Sequence, residues 1–292
     1  MAVYERNYGR YQGELTPTRS RFLVLPRYAM KDVFDSRGFV AFFAVCFLMP
    51  FAGLLIIYLH HNLSALKFLQ IDDPSKLSQI LPINAEFFRR GLDSQQWLCF
   101  LMALFVGPSL VAPDLRSNGL PLYLSRPFSR TEYVLGKLTV LVGLMSMITW
   151  IPGLLLFFFQ AYLEGTGWLG ENLRIGMAIF VSSWVWILVV SLVVLAISAW
   201  VKWKPVARVS LLIVFFVLTG FAQALNHGLE TWWGHLLSLS TAMNHLSAYL
   251  FDVNVQDGFP PPLWAAWLTL LGGCALSLWL LSRRIRAYEV VR

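Results

Sequence analysis

The stretch Asp114 to Lys137, DLRSNGLPLYLSRPFSRTEYVLGK, holds the densest set of residues able to do recognition chemistry in this chain. An Asp at the start of a helix accepts from free backbone N–H groups, so Asp114 to Asn118 can begin one. Gly119 and Pro121 then interrupt it, and Pro127 sets a second turn. Leu120, Leu122, Tyr123 and Leu124 offer an apolar face, and Arg116, Arg126 and Arg130 surround it. An apolar centre inside an arginine rim suits docking to a soluble partner. The other reading is an interfacial loop whose arginines only set topology.

Catalytic and ligand chemistry finds little elsewhere. A phosphate-binding loop needs Gly-x4-Gly-Lys-Ser/Thr, so that backbone amides and the lysine can hold phosphates. The pair Gly136–Lys137 is followed by Leu138, so the chain itself should not hydrolyse ATP. Five histidines, His60, His61, His227, His235 and His245, are spread along the sequence. His227 and His235, with Glu230 between them, permit a shared metal site, although interfacial histidines making ordinary hydrogen bonds are the commoner case. No Gly-x-Ser-x-Gly elbow or His-Glu-x-x-His is present. Cys46, Cys99 and Cys274 all sit in apolar runs and read as small buried hydrophobes. The expectation is a chain with no cofactor, no metal and no catalytic residue of its own.

The elements that must carry the Asp114–Lys137 stretch are membrane spans. Hydrophobic residues make up 57% of the 292 and charged residues 13%, about half the usual globular share of charge. Mean hydropathy is +0.61. The net charge of +7 does not point to nucleic acid, because the basic residues lie in short tracts beside apolar runs. With about 20 apolar residues needed per span, the pattern predicts six, near residues 39–59, 96–111, 133–162, 173–201, 209–225 and 263–281. The second ends at Pro113, and Pro152 predicts a kink in the third. Residues 164–172 read as a tight Gly-rich turn. Phe22, Leu25, Ala29, Val33 and Phe34 recur at helical spacing between charges, predicting an amphipathic helix in the interface before the first span. Residues 226–262 hold no Lys or Arg and read as a pair of short helices dipping into the outer leaflet. The fold class is thus all-α and polytopic: 1–38 a cytoplasmic tail and interfacial helix, 39–292 a six-span domain. Ionisable residues are scarce at mid-span, which argues against a proton-driven transporter. Polar residues able to face a path are Thr149, Gln160, Ser182, Ser183, Ser191, Ser198, Thr219 and Gln223. Each also suits helix packing.

Asp114, Leu120, Leu124, Ser125, Pro127, Arg130, Gly136 and Lys137 together resemble the loop of type-2 ABC exporter permeases. In that family an acidic residue precedes a Leu-rich short helix, a Ser/Thr-x-Pro-x-x-Arg turn and Gly-Lys. The resemblance implies that Asp114–Lys137 holds a coupling helix seated in a groove of a separate ATPase subunit. It also implies a permease dimer, with itself or a similar permease, bound to two ATPase subunits. An amphipathic helix before the first span and re-entrant helices between the last two belong to the same implication. The reading of another class is a membrane scaffold that anchors a soluble complex and moves no solute. A weaker third is a membrane enzyme using the outer histidines.

Lys and Arg set the orientation. Of the 23, 18 fall in the N-terminal tail, the Asp114–Lys137 loop, the connector near Lys204 and the C-terminus, and 5 in the alternate loops. The positive-inside rule then places both termini and the Asp114–Lys137 loop in the cytoplasm of a cell membrane. Reporter fusions at Ser117, Lys202 and Arg292 should read cytoplasmic, and fusions at Ser75 and Gln256 external. A cytoplasmic signal at Gln256 would break the six-span reading.

Overall fold

The computed structural model describes residues 24–62, 82–116, 130–201, 203–254 and 260–284. Among these residues every regular element is helical. Six stretches are long and apolar enough to cross a membrane: Arg37–His61, Ala85–Asp114, Thr131–Glu164, Leu173–Trp200, Lys204–Leu229 and Leu263–Arg284. The protein is therefore an all-helical, multi-pass membrane protein.

In chain order, α1 is Val24–Phe34, α2 Arg37–Val45, α3 Leu48–His61 and α4 Ala85–Arg116. Next come α5 Arg130–Ile148, α6 Trp150–Glu164, α7 Thr166–Glu171 and α8 Leu173–Trp200. The fifth span is α9 Lys204–Leu212, a π turn Ile213–Val217, and α10 Leu218–Leu229. A 3₁₀ turn Trp233–Leu237 and α11 Leu239–Phe251 lead to α12 Leu263–Arg284.

The fourth span is the centre. In its most apolar window 72% of residues are buried, against 17% in the first span and 22% in the fifth. Its closest neighbour is α4, and the contact is made possible by Gly107, where an added Cβ would collide with Val194 Cγ1. Small residues let membrane helices approach, since lipid supplies no hydrophobic push between them. Higher up the same pair, Trp186 Nε1 donates to the Gln96 carbonyl at 2.9 Å. Ser182, Ser183 and Ser198 on α8 are buried, and among the described residues their hydroxyls have no hydrogen-bond partner. Their contribution is small volume at helix contacts. Ser191, Thr149 and Gln160 are buried as well, whereas Gln223 is exposed.

Two spans are broken, each just before a proline. The third breaks at Thr149, between α5 and α6, three residues ahead of Pro152. The first breaks at Cys46–Phe47, ahead of Pro50, a feature absent from the sequence reading. A proline lacks the N–H that would serve the carbonyl four residues back and crowds that carbonyl. For Pro50 that carbonyl is Cys46 O, and Gln95 Nε2 donates to it at 3.2 Å. Pro50 and Thr149, with Gln95 and Gly153, line a cavity of about 540 Å³ among the first four spans.

The boundaries also move. The second span does not start at Gln96 or stop at Pro113; α4 begins at Ala85 and runs through Pro108 and Pro113 to Arg116. The polar residues that hid its first turns pair with one another, Glu86 with Arg90 at 2.8 Å and with Arg89 at 3.2 Å. Residues 164–172 are not a simple turn. Gly165, at φ 101°, redirects the chain, and Thr166–Glu171 then form α7. Between the last two spans, Asn226 Oδ1 accepts from Gly234 N at 2.7 Å and folds the 3₁₀ turn back onto α10. Ser238 caps α11 through Thr241 N, and Arg174 at the head of α8 meets Asp252 at 2.8 Å. Trp232 and Trp233 stack at 4.7 Å, with Trp264 edge-on to Trp232.

Replacing Gln95 by Leu strands Cys46 O and should lower stability by about 1–3 kcal/mol, the usual cost of an orphaned buried acceptor. Pro50→Ala restores the missing N–H, so Gln95→Leu should cost less in that background. Thermal unfolding of the four proteins in detergent measures the coupling; equal costs in both backgrounds refute the assignment.

Candidate functional site

The Asp114–Lys137 stretch is entered by the last turn of α4 and left by the first turns of α5. Asp114 does not begin a helix as expected. It lies near the C-terminal end of α4, because that helix continues past Pro113 to Arg116. Backbone amides of a first turn are therefore not its partners. Asp114 Oδ2 instead accepts from Lys137 Nζ at 2.9 Å and from Tyr133 Oη at 2.8 Å.

This is a clamp across the two ends of the segment. Tyr133 and Lys137 are four residues apart, so one face of α5 presents both. The phenol ring is 1% exposed, and the Lys137 ammonium lies 5.5 Å from its centroid, within cation–π range. Side-chain exposure is 10% for Lys137 and 18% for Asp114. A pair this shielded gains more from its mutual attraction than a surface bridge, and each partner would be costly to leave alone. The cluster holds α4 and α5 together where the chain leaves and re-enters the bundle.

Of the residues read as the site, Arg116 sits exposed in the last turn of α4. Arg130 is the first residue of α5. Gly119, Leu120, Pro121, Tyr123, Leu124, Ser125, Arg126 and Pro127 lie outside the described residues. Asp114 and Lys137 are brought together. Tyr133 was missed, and the signal for it was its i, i+4 spacing from Lys137.

Four of the five histidines fall into two pairs. His61 Nε2 lies 3.2 Å from Glu164 Oε1, and its Nδ1 lies 3.0 Å from Ile57 O. His60 packs its ring 5.3 Å from that of His61. His235 faces His245, with ring centroids 5.0 Å apart. His227 belongs to α10, while His235 belongs to the 3₁₀ turn that folds back from it. Among the described residues no three His, Cys, Asp or Glu side chains gather as metal ligands do. Cys46 and Cys99 are buried free thiols, and Cys274 is half-buried.

In comparisons with known proteins, no family model and no curated protein matches this chain.

Lys137→Met leaves the Asp114 carboxylate shielded and unpaired. Asp114 keeps some exposure, so the cost should be nearer about 1–3 kcal/mol than the 3–5 of a fully buried broken pair. Adding Asp114→Asn removes the stranded charge and should recover part of that loss. A double-mutant cycle by thermal unfolding tests this; strict additivity would mean the ion pair carries no coupling.

Proposed function

We propose that this chain is the membrane-spanning permease subunit of an ATP-driven exporter of the type-2 ABC class. The observation that carries the reading is the Asp114–Lys137 ion pair, which ties together the two ends of the segment that resembles the coupling loop. In this reading the loop faces the cytoplasm and rests on a separate ATPase subunit. Two such subunits serve a pair of permeases, either two copies of this chain or this chain with a similar one. The chain supplies no nucleotide site.

The mechanism follows from how the ends are held. ATP closes the ATPase pair and displaces the loop. Because Asp114 is bonded to both Tyr133 and Lys137, α4 and α5 feel that displacement as one body. α4 passes it to the central α8 through the close crossing at Gly107 and Val194. Nucleotide thereby biases an equilibrium between inward- and outward-open arrangements, by as much as it binds one better than the other. α1 packs Leu25, Ala29, Met30 and Val33 against the core, which suits an interfacial helix. The 3₁₀ turn and α11 are short enough to be the re-entrant helices of the outer leaflet.

Arg130→Glu, or Leu120→Ala with Tyr123→Ala, should leave expression and membrane insertion intact. Removing one charge of a desolvated interfacial pair costs about 2–5 kcal/mol, enough to abolish co-purification with the ATPase or to uncouple hydrolysis from transport. If both variants assemble with the ATPase and drive flux in vesicles like the parent, the docking role is wrong. ATP-dependent flux in vesicles separates this reading from a scaffold that moves no solute.

A further inference from the structure

A cavity of about 880 Å³ opens at the Asp114 end of the bundle, between α1, α2, α4 and α9. That volume lies within the range of small-molecule sites. Phe39, Phe42, Phe105 and Leu110 give it apolar walls, and charged side chains line it as well. Five charged side chains line it: Asp32, Asp114, Lys137, Lys204 and Arg208. Asp114 and Lys137 satisfy each other. Among the described residues Lys204 and Arg208 form no ion pair, and Asp32 forms none with either.

Lys204 and Arg208 stand one turn apart on α9, so both cations face the same cavity. Like charges at this spacing repel, and an anion between them would relieve that. Arg208 Nε is buried and has no acceptor among the described residues, while its guanidinium lies 5.9 Å from the Phe105 ring centroid. A buried charged donor without an acceptor is expensive, and Phe105 offers a π face but no oxygen. Trp203, 69% exposed just before α9, has the amphipathic ring that favours the headgroup level. An anionic head beside two cations, with an apolar slot next to it, is the arrangement that holds acidic lipids between helices.

We propose that this cavity is a binding site for an anionic phospholipid. Its phosphate lies between Lys204 and Arg208, and an acyl chain lies against Phe39, Phe42 and Phe105. The site does not depend on the permease reading, because it needs neither ATPase nor transported solute.

The test uses the full chain in a neutral detergent, titrated with phosphatidylglycerol, with phosphatidylcholine of the same acyl chains, or with inorganic phosphate, and read by native mass spectrometry. Phosphatidylglycerol should bind at least about fivefold more tightly than phosphatidylcholine, and Lys204→Gln with Arg208→Gln should weaken it by about tenfold or more. Lys204→Gln alone, at an exposed position, should weaken it in the same direction should the double variant fail to fold. Gly38 lines the cavity, and a Cβ added there meets nothing within 4 Å. Gly38→Phe should therefore fill the slot and reduce phosphatidylglycerol binding, whereas Lys31→Gln, on α1 outside the cavity, should leave it unchanged. Equal binding of the two lipids, or a preference that survives the Lys204 and Arg208 changes, overturns the proposal. So does displacement of the lipid by inorganic phosphate, which would make the site a bare anion site. Unchanged binding in Gly38→Phe would place the chain elsewhere and overturn it too.

Discussion

Everything in this bundle depends on how closely α4 can approach α8. Lipid tails are as apolar as leucine, so helices in a membrane gain nothing by hiding hydrophobic surface from one another. Their association rests on contact and on satisfied polar groups. Gly107 removes the one side chain that would hold α4 away from Val194, and Trp186 adds a buried hydrogen bond to Gln96 O. Around that axis the first, fifth and sixth spans pack more loosely, with a third or less of their most apolar stretches buried. The molecule has a rigid centre and an apolar periphery.

The prolines act within that frame as placed interruptions. Backbone polar groups in hydrocarbon must find partners inside the protein, so a break is tolerated only where something answers the freed carbonyl. Gln95 does this for Cys46 O. Pro108 and Pro113, by contrast, leave α4 continuous. The difference has a consequence for motion. α4 is one unbroken lever from Ala85 to Arg116, while the first and third spans each have a joint beside the 540 Å³ cavity.

The clamp of Asp114, Tyr133 and Lys137 and the cavity of Lys204 and Arg208 share one end of the molecule, and Asp114 and Lys137 line that cavity. A ligand seated there touches α1, α4 and α9 at once. If the loop beyond Arg116 is the point where a partner pushes, occupancy of the cavity would stiffen the base on which it pushes. Lipid and partner would then be coupled through one set of helix ends, and such coupling is reciprocal by necessity.

Hydrophobic runs and the scarcity of charge were enough to determine a six-span, all-helical membrane protein, because length and apolarity alone decide what can cross a bilayer. Span ends were less legible. Glu86, Arg89, Arg90 and Asp93 look like loop residues in a linear reading, yet they neutralise one another along a helix face. Pro113 looks like a stop, yet helices packed in a membrane carry prolines that isolated ones would not. The role of Asp114 was decided only in three dimensions. Its neighbours in sequence suggested a helix cap, while its partners, Tyr133 and Lys137, lie a whole loop away. The same holds for Lys204 and Arg208, which in sequence are topology signals and in space share one cavity. Local chemistry can be read from local sequence; which charge meets which depends on helix packing, and packing distances are not written in the spacing of residues.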